Sequence, residues 1–346
     1  MMRKIKIGFL GLGVIGSKLL NIIQENKEKT KEAFGIEFEV VVIMVRDVLK
    51  KRDVNTEGIK MTTEANDVVK ESDVDICIEC MGGDGVEKTR ETVLLALQNH
   101  KHVIMSSKKC LAMYGDEIIQ MAQENGVQIR VEASVGGGIP ICRSLMHMSK
   151  GETIIKLFGI VNATSNYILT SMSKNHASYE EALLGAKVNG YAENDSSEDV
   201  DGWDAAYKLC ILSRLCMNLS IRYQELRPIS LRNKNAVDID KAEQEGKIVK
   251  QIIYAYKNNT GKLECYIGPY AIRKDSHLAM VSDNNNMIFI EGEYSGKRAF
   301  YGEGAGANAT ASVMYDDLMD VIFAEYKYRN AVTSHISNID VLSIEL

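Results

Sequence analysis

The sequence has only three prolines and one tryptophan among its 346 residues, and it has no long uncharged hydrophobic run. A membrane helix needs roughly 20 consecutive apolar residues, and no stretch approaches that length. The N-terminus turns glycine-rich after a short apolar run, so it lacks the apolar core and the cleavage site of a signal peptide. We therefore expect no membrane association.

An excess of positive charge is also missing, because the formal net charge is −6 and the pI is about 5.7. Binding to nucleic acid is typical of proteins with a basic patch, so it is not expected here. The seven cysteines are odd in number and scattered, which favours reduced thiols in a cytoplasmic enzyme. Cys77 and Cys80 are spaced like half of a metal site, but they lie in an apolar run without a second pair, so we interpret them as strand residues.

The first informative pattern is Gly-x-Gly-x-x-Gly at residues 11–16, which follows a predicted strand over 4–10 and precedes a helical pattern. In that context the motif predicts a dinucleotide site. The first glycine permits a tight turn, the second lets the backbone approach a pyrophosphate, and the third lets helix and strand pack closely. A glycine-rich turn without a ligand is the alternative. The predicted cofactor-binding residues here are Gly11, Gly13, Val14, Ile15 and Gly16.

The end of the second predicted strand, 39–45, bears on the choice of cofactor. Arg46 and Asp47 follow it, with more cations at 50–52. An acid at this place holds the ribose of NAD, whereas an arginine accommodates the 2′-phosphate of NADP. Arginine comes first, which favours NADP, and Asp47 leaves NAD open. A solvated charged turn is the alternative.

Strand and helix patterns continue to alternate up to residue 135, which predicts a parallel, doubly wound Rossmann-type sheet. The turns at Met81-Gly82 and at 106–108 follow strands, so both should lie at the carboxyl edge, where a cofactor binds. Lys108 could therefore reach the nicotinamide or the substrate. A solvated pair with Lys109 explains the same position equally well.

The alternation breaks at 131–141, where three consecutive glycines and a proline occur. We therefore predict a dinucleotide-binding domain over 1–135 and a second, α+β domain over 136–300. Polar residues at 162–166 either cap a helix or line a pocket.

The acid-rich segment, residues 190–208, ends on a lysine. From Asp201 onward the pattern predicts a helix, in which Asp204 and Lys208 lie one turn apart on a face that becomes apolar below them. A partly desolvated lysine beside a carboxylate suits proton transfer near neutral pH. A salt bridge at the start of a helix is the alternative. The upstream acids Glu193 and Asp199 could bind a cationic substrate group.

Taken together, these motifs resemble the homoserine dehydrogenase family over nearly the whole chain. The resemblance implies NAD(P)-dependent interconversion of L-homoserine and L-aspartate 4-semialdehyde, in threonine, methionine and isoleucine biosynthesis. The matching motifs are GLGVIG at 11–16, SSKKCLA at 106–112, EASVGGGIPI at 132–141, GIVNATSNYIL at 159–169, GYAENDSSEDVDGWDAAYKL at 190–209 and GEGAGANATAS at 302–312.

The resemblance also implies roles for individual residues. Lys208 would exchange a proton with the substrate oxygen, Asp204 would orient it, and Lys108 would lie near the reacting carbon. The cofactor would also meet Met81, Gly82, Gly302 and Gly304, and the segment 301–346 would return to the nucleotide domain. The amino-acid end of the substrate would be bound by Glu193, Asp199, Tyr191 and Thr164. A monovalent cation such as Na⁺ would bind the backbone carbonyls of Glu132, Val135, Gly137 and Ile139. A homodimer would form through the second domain.

The chain departs from the family pattern at Ser107, Ala163, Ser196 and Ala309, where asparagine, glycine and two prolines are usual. Ser107 and Ala163 leave the fine substrate or cofactor preference open. About 30 residues follow Asp317, which is too few for a regulatory domain, so we expect no feedback inhibition of that kind. Two rivals stay open: a related NAD(P) oxidoreductase for another small amino or hydroxy acid, and a non-catalytic dinucleotide sensor, which would not need the Asp204–Lys208 pair.

Overall fold

The computed structural model describes residues 2–71, 73–82, 85–232, 234, 236–323 and 339–341. These residues form two compact units, one from residues up to 134 with 306–323, the other from 135–305 with 339–341. The strands are β1 (Arg3–Leu10), β2 (Ile36–Met44), β3 (Lys60–Thr62), β4 (Ile76–Glu79), β5 (His102–Met105), β6 (Ile129–Arg130), β7 (Ile154–Ile160), β8 (Lys247–Lys257), β9 (Leu263–Arg273), β10 (Asn285–Gly292), β11 (Gly296–Glu303) and β12 (Ile339–Val341). The helices are α1 (Val14–Glu25), α2 (Lys27–Phe34), α3 (Asn66–Val69), α4 (Val86–Gln98), α5 (Lys108–Glu124), α6 (Ile141–Met148), α7 (Ala163–Asn175), α8 (Tyr179–Val188), α9 (Ser197–Val200), α10 (Trp203–Met217), α11 (Ala236–Gln244) and α12 (Ala307–Phe323).

The first unit is built on a parallel sheet with the strand order β3-β2-β1-β4-β5-β6. This is the classic order of a dinucleotide-binding fold. The central strands are apolar because helices cover both faces of such a sheet. The core joins the strands to α1 and α12 through Ile7, Phe9, Leu19, Leu20, Ile43, Ile78, Ile104, Met314 and Leu318.

The second unit contains a sheet with the order β11-β10-β7-β8-β9-β12, in which only the β12–β9 pair is parallel. The helices α7, α10 and α11 contact β8. Burial alternates along β10, where fully buried Ile288 and Ile290 interleave with half-buried Met287 and Phe289. One face of the sheet is therefore core, and the other is an apolar face that stays partly exposed. The predicted Rossmann-type sheet with a second α+β domain is confirmed.

The helix α7 is anchored from inside the second unit by a buried lysine. The Lys250 ammonium donates to Asn166 Oδ1 at 3.0 Å, to Thr170 Oγ1 at 3.2 Å and to the Val281 carbonyl at 2.6 Å. Burial lowers the pKa of Lys250 to about 8. The Asn166 side-chain NH₂ in turn donates to the carbonyl of Asn285 at 3.1 Å. This anchoring fixes the helix whose first turn carries the polar cluster 162–166.

The structure differs from the sequence-based prediction in three places. Lys108 is the first residue of α5 rather than part of a turn. The helix predicted from Asp201 begins two residues later, at Trp203, because Gly202 takes a left-handed φ of 83° between the end of α9 and the start of α10. In the predicted C-terminal segment 301–346, α12 belongs to the first unit, whereas β12 pairs with β9 of the second. Residues 324–338 and 342–346 of that segment lie outside the described residues. Among the described helices, none is both long and apolar enough to cross a bilayer.

Candidate active site

The glycine loop of the first unit leads directly from β1 into α1. Gly11 has a φ of +101°, and a Cβ there would lie 2.4 Å from the Cys80 carbonyl oxygen, so only glycine fits. Gly13 precedes the helix, has no side chain to cap it, and has no described atom within 4 Å of an added Cβ. Val14 is 72% exposed. The helix N-terminus thus faces open space with its first N–H groups, the arrangement that receives a phosphate.

The turn after β2 has its own internal bonds. Asp47 Oδ1 accepts the Leu49 N–H at 2.8 Å, and the Arg52 guanidinium donates to the carbonyls of Asp47 and Lys50 at 2.7 and 2.6 Å. Arg46 is exposed at the end of the strand. The Asp47 carboxylate therefore shapes its own turn, and Arg46 is the first exposed charged residue after the strand.

Lys108 begins α5, directly after β5 and Ser107. A lysine in the first turn lies at the positive end of the helix dipole, where helix stability favours an acid instead. The side chain is half-buried. Helix stability alone therefore does not account for a lysine at this position. Its placement favours a role at the nicotinamide or the substrate over a solvated pair with Lys109.

In the second unit, Asp204 and Lys208 form a buried ion pair on α10. Asp204 Oδ2 lies 2.7 Å from Lys208 Nζ, and their side chains are 2% and 9% exposed. The Lys208 ammonium also donates to the Val161 carbonyl at 2.6 Å. The burial predicted from the helical pattern is confirmed. A buried pair of this kind costs desolvation and is maintained only with further hydrogen bonds, which the end of β7 supplies.

Asn162 connects the two acids of the site. Its side-chain NH₂ donates to Asp199 Oδ1 and to Asp204 Oδ2, both at 2.7 Å. Its Oδ1 accepts the Ser165 N–H at 2.7 Å and so caps α7. The polar cluster 162–166 therefore caps a helix and lines the site at the same time. The sequence places Asn162 in a polar cluster but carries no signal for these bonds, because the two acids are 37 and 42 residues away.

The remaining residues predicted to bind the substrate lie at the start of α7 and in the segment that follows α8. Buried Thr164 donates its hydroxyl hydrogen to the Tyr191 carbonyl, and the Tyr191 ring lies 5.1 Å from the Tyr167 ring. Glu193 is exposed on the segment that follows α8. The structure thus brings together Asp199, Asp204 and Lys208, bonds Thr164 to the Tyr191 backbone, and leaves the Glu193 side chain at the surface.

Asp201, which was predicted to start the helix of the acid-rich segment, instead bonds to residues after α10. Its carboxylate accepts from the Arg232 guanidinium at 2.7 and 3.0 Å and from the Ser230 hydroxyl at 2.8 Å. Its bond to Arg232 lowers the pKa of the Asp201 carboxyl. Asp201 therefore fixes the chain before α10.

Three segments of the second unit meet at glycines: the loop 135–139, the chain after β11, and β10. A Cβ on Gly137 would lie 2.6 Å from the Gly304 carbonyl carbon. A Cβ on Gly304 would lie 2.2 Å from the Asn286 side-chain amide. Close packing alone thus requires these two glycines, whether or not a cofactor approaches. Packing restricts Gly302 less, since a Cβ added there would lie 3.1 Å from the Ile139 side chain.

The predicted cation ligands are carbonyls on residues that the structure holds firmly. Val135 and Ile139 are buried, and Gly136 and Gly137 have φ of 83° and 59°, so the loop turns sharply between them. The Ile139 carbonyl accepts the Ile141 N–H at 2.8 Å, which uses one of its two lone pairs. Glu132, in the first unit, is buried, and its N–H donates to Asp317 Oδ2 at 3.0 Å.

Known protein families match both parts of the chain. Residues 140–319 match the family described as homoserine dehydrogenase, and residues 11–132 match its NAD binding domain. A homoserine dehydrogenase of Bacillus subtilis is 37% identical over 321 residues, which cover 93% of this chain and 73% of the relative. One of Synechocystis is 37% identical over 92% of this chain and 73% of its own length.

Solved structures agree in fold. The crystal structure of a homoserine dehydrogenase from Thiobacillus denitrificans has a TM-score of 0.88 at 33% identity, covering 99% of this chain and 80% of that one. A hyperthermophilic archaeal homoserine dehydrogenase in complex with NADPH has a TM-score of 0.76 at 26% identity, covering 94% of this chain and 100% of that one.

Proposed function

The chain belongs to the homoserine dehydrogenase family, and on that premise we propose how its own residues carry out the reaction. It is an NAD(P)-dependent enzyme that interconverts L-homoserine and L-aspartate 4-semialdehyde. This activity belongs to the biosynthesis of threonine, methionine and isoleucine. The non-catalytic sensor is not favoured, and neither is the related oxidoreductase with another substrate.

We assign proton transfer to Lys208. During oxidation, the terminal carbon of homoserine loses a hydride and its hydroxyl proton passes to the neutral Lys208 amine; during reduction, the carbon regains a hydride and the Lys208 ammonium returns the proton. Bound nicotinamide supplies the hydride chemistry. The observation that carries the assignment is the buried Lys208 ammonium, fixed between the Asp204 carboxylate and the Val161 carbonyl. Lys108 is proposed as the second lysine near the reacting carbon.

The carboxylates around α9 and α10 suit the α-ammonium of the amino acid. Asn162 holds Asp199 and Asp204 in one arrangement, so it is a positioning residue for both. We propose that the amino-acid end of the substrate is bound by Glu193, Asp199, Tyr191 and Thr164.

Reduction of NADP or NAD at alkaline pH tests the activity directly. L-homoserine is offered beside a panel of other small hydroxy and amino acids, with each cofactor in turn. Selective turnover of homoserine supports the proposed pocket. A clear preference for another hydroxy acid would contradict the proposal and point to the changes at Ser107 and Ala163.

We propose NADP as the preferred cofactor, bound by the residues predicted from sequence. Arg46 follows β2 at the surface, and Asp47 is bonded into its own turn, which supports a 2′-phosphate beside the arginine. The proposed contacts come from Gly11, Gly13, Val14, Ile15, Gly16, Arg46, Met81, Gly82, Lys108, Gly302 and Gly304.

Arg46→Ala is expected to raise the KM for NADP about tenfold, since a hydrogen bond to a charged group contributes about 1.5 kcal/mol. The KM for NAD should stay within about twofold, because NAD lacks the 2′-phosphate. Steady-state kinetics with both cofactors measure this, with Lys51→Ala as a neighbouring charge control. Equal increases for NADP and NAD would refute the role of Arg46.

A monovalent cation such as Na⁺ is proposed at the carbonyls of Glu132, Val135, Gly137 and Ile139. The sharp turn at Gly136 and Gly137 supports this, and hard carbonyl oxygens suit such an ion. It would stabilise the loop, and no step of the reaction is assigned to it. Activity in sodium against a bulky organic cation, at constant ionic strength, tests the site.

A homodimer is proposed through the partly exposed face of the second sheet. Phe158 and Phe289 stack there with ring centroids 4.9 Å apart, and Met287 and Tyr254 are their neighbours in the strands. An apolar face with half-buried aromatic rings suits a two-fold contact, in which the same patch of each chain meets its copy. The cytoplasmic location inferred from the cysteines stays a prediction.

Sedimentation equilibrium should give the mass of two 38.5 kDa chains. Phe289→Glu is expected to shift the mass to one chain, because a carboxylate would be buried without a partner in the contact. Tyr294→Glu, at a residue 81% exposed in the hairpin turn, should leave the dimer intact. A folded Phe289→Glu protein that stays dimeric would exclude this face.

A further inference from the structure

The end of β4 carries a buried acid that the reaction described above does not use. Glu79 is the last residue of the strand, and its side chain is 0% exposed. Burial raises the pKa of the Glu79 carboxyl, and hydrogen bonds from backbone N–H groups oppose that rise. A carboxylate is expensive to bury, so its partners indicate what it contributes.

The partners of Glu79 are backbone amides from two different turns. Its Oε1 accepts the Met81 N–H at 2.7 Å, and its Oε2 accepts the N–H groups of Ser106 and Ser107 at 3.1 and 2.9 Å. The Glu79 carbonyl also accepts the Ser106 hydroxyl at 3.0 Å. One side chain therefore joins the turn after β4 to the turn after β5.

These two turns lie where the first unit receives its cofactor. Met81 begins the turn after β4, and Ser107 directly precedes Lys108 at the start of α5. The glycine loop is joined to the same place, because Gly11 packs against the carbonyl of Cys80 and the Cys80 N–H donates to the Leu10 carbonyl at 2.8 Å. Three loops at the carboxyl edge thus depend on the geometry around residues 79–81.

We propose that Glu79 is a positioning residue for the dinucleotide, whose carboxylate holds the turns after β4 and β5 in the arrangement that receives the nicotinamide end and sets the position of Lys108. The inference rests on the proposed function, since it takes both turns to face the cofactor. Two acceptor oxygens are needed because three N–H groups from two turns converge on them. A glutamine has the same size but only one acceptor oxygen, so it cannot satisfy both turns.

Glu79→Gln is therefore expected to raise the dissociation constant of NADPH about tenfold and to lower kcat at saturating cofactor. The KM for L-homoserine should change less than twofold, because its proposed ligands lie in the second unit. NADPH fluorescence titration and steady-state kinetics measure these quantities. Glu37→Gln is the matched control: Glu37 is a partly buried glutamate near the start of β2 and pairs with Lys27 at 3.1 Å.

A second variant tests the same bond without changing Glu79. Ser107 has a φ of −73°, which proline adopts readily, so Ser107→Pro deletes one of the three N–H donors. Ser107→Ala removes the hydroxyl and keeps the N–H. Weaker NADPH binding by the proline variant than by the alanine variant supports the proposal and keeps it testable if Glu79→Gln does not fold.

Unchanged NADPH affinity in folded Glu79→Gln, and equal affinities in the two Ser107 variants, would overturn the inference. A loss of thermal stability with normal NADPH affinity and normal kcat would do the same, since it assigns Glu79 a structural role only. In both cases wild-type enzyme still oxidises homoserine. Failure of wild-type enzyme to bind NADPH would instead contradict the proposed function.

Discussion

Lys208→Ala is expected to lower kcat for L-homoserine oxidation about a thousandfold, within the range of about 10²–10⁴ that a positioned general acid or base contributes. The dissociation constant of NADPH should change little, because the proposed cofactor contacts in the glycine loop do not involve this residue. Stopped-flow measurement of NADPH formation gives the rate, and fluorescence titration gives the affinity.

Two controls separate chemistry from stability in this experiment. The alanine variant leaves the buried Asp204 carboxylate without its cation, which destabilises the fold by about 3–5 kcal/mol, so circular dichroism must show a folded protein at the assay temperature. Lys257→Ala, at an exposed lysine that ends β8, should retain wild-type kcat. A kcat for Lys208→Ala within tenfold of wild type would remove Lys208 from the reaction.

Asp204→Asn is expected to have the second largest effect on turnover, a decrease in kcat of about a hundredfold. The substitution keeps the size of the side chain and removes its charge, so the buried Lys208 ammonium loses its ion pair. The Asn162 side-chain NH₂ also loses a charged acceptor. The result is a lysine that is less well oriented and less stable in its charged form.

The double variant distinguishes a shared role from two separate ones. If Asp204 acts through Lys208, then kcat of Asp204→Asn/Lys208→Ala should lie within a few-fold of that of Lys208→Ala alone, because residues in one network are not additive. Asp201→Asn is the control in the same segment, since that carboxylate binds Arg232. Additive losses would show that Asp204 has a function of its own.

The fold of the first unit follows from local sequence signals. The glycine motif between a strand and a helix, together with the repeated strand–helix spacing, predicts the parallel sheet, and the structure confirms it. The start of the helix in the acid-rich segment was placed two residues too early. Acidic residues just before a helix look, in the sequence, like residues of its first turn. In the structure, Gly202 takes a left-handed conformation, so α10 begins only after it.

The site was predictable only where its residues share one element. Asp204 and Lys208 are four residues apart on a helix, so their pairing follows from its geometry. Asn162 reaches its acids only because the start of α7 approaches α9 and α10. Glu79 is hidden in an apolar strand pattern, and its role depends on where the next strand ends. Neither the bonds of Asn162 to the two acids nor those of Glu79 to the two turns can be predicted from the residues next to them in the sequence.

Chemical rescue of Lys208→Ala tests the central proposal most directly. Small primary amines are added to the variant with saturating homoserine and NADP, and the rate of NADPH formation is followed as a function of amine concentration and basicity. The proposal predicts that amines restore part of the rate, and that more basic amines restore more of it at equal free-base concentration. Wild-type-like turnover without added amine, or equal stimulation of wild type and variant by every amine, would contradict it.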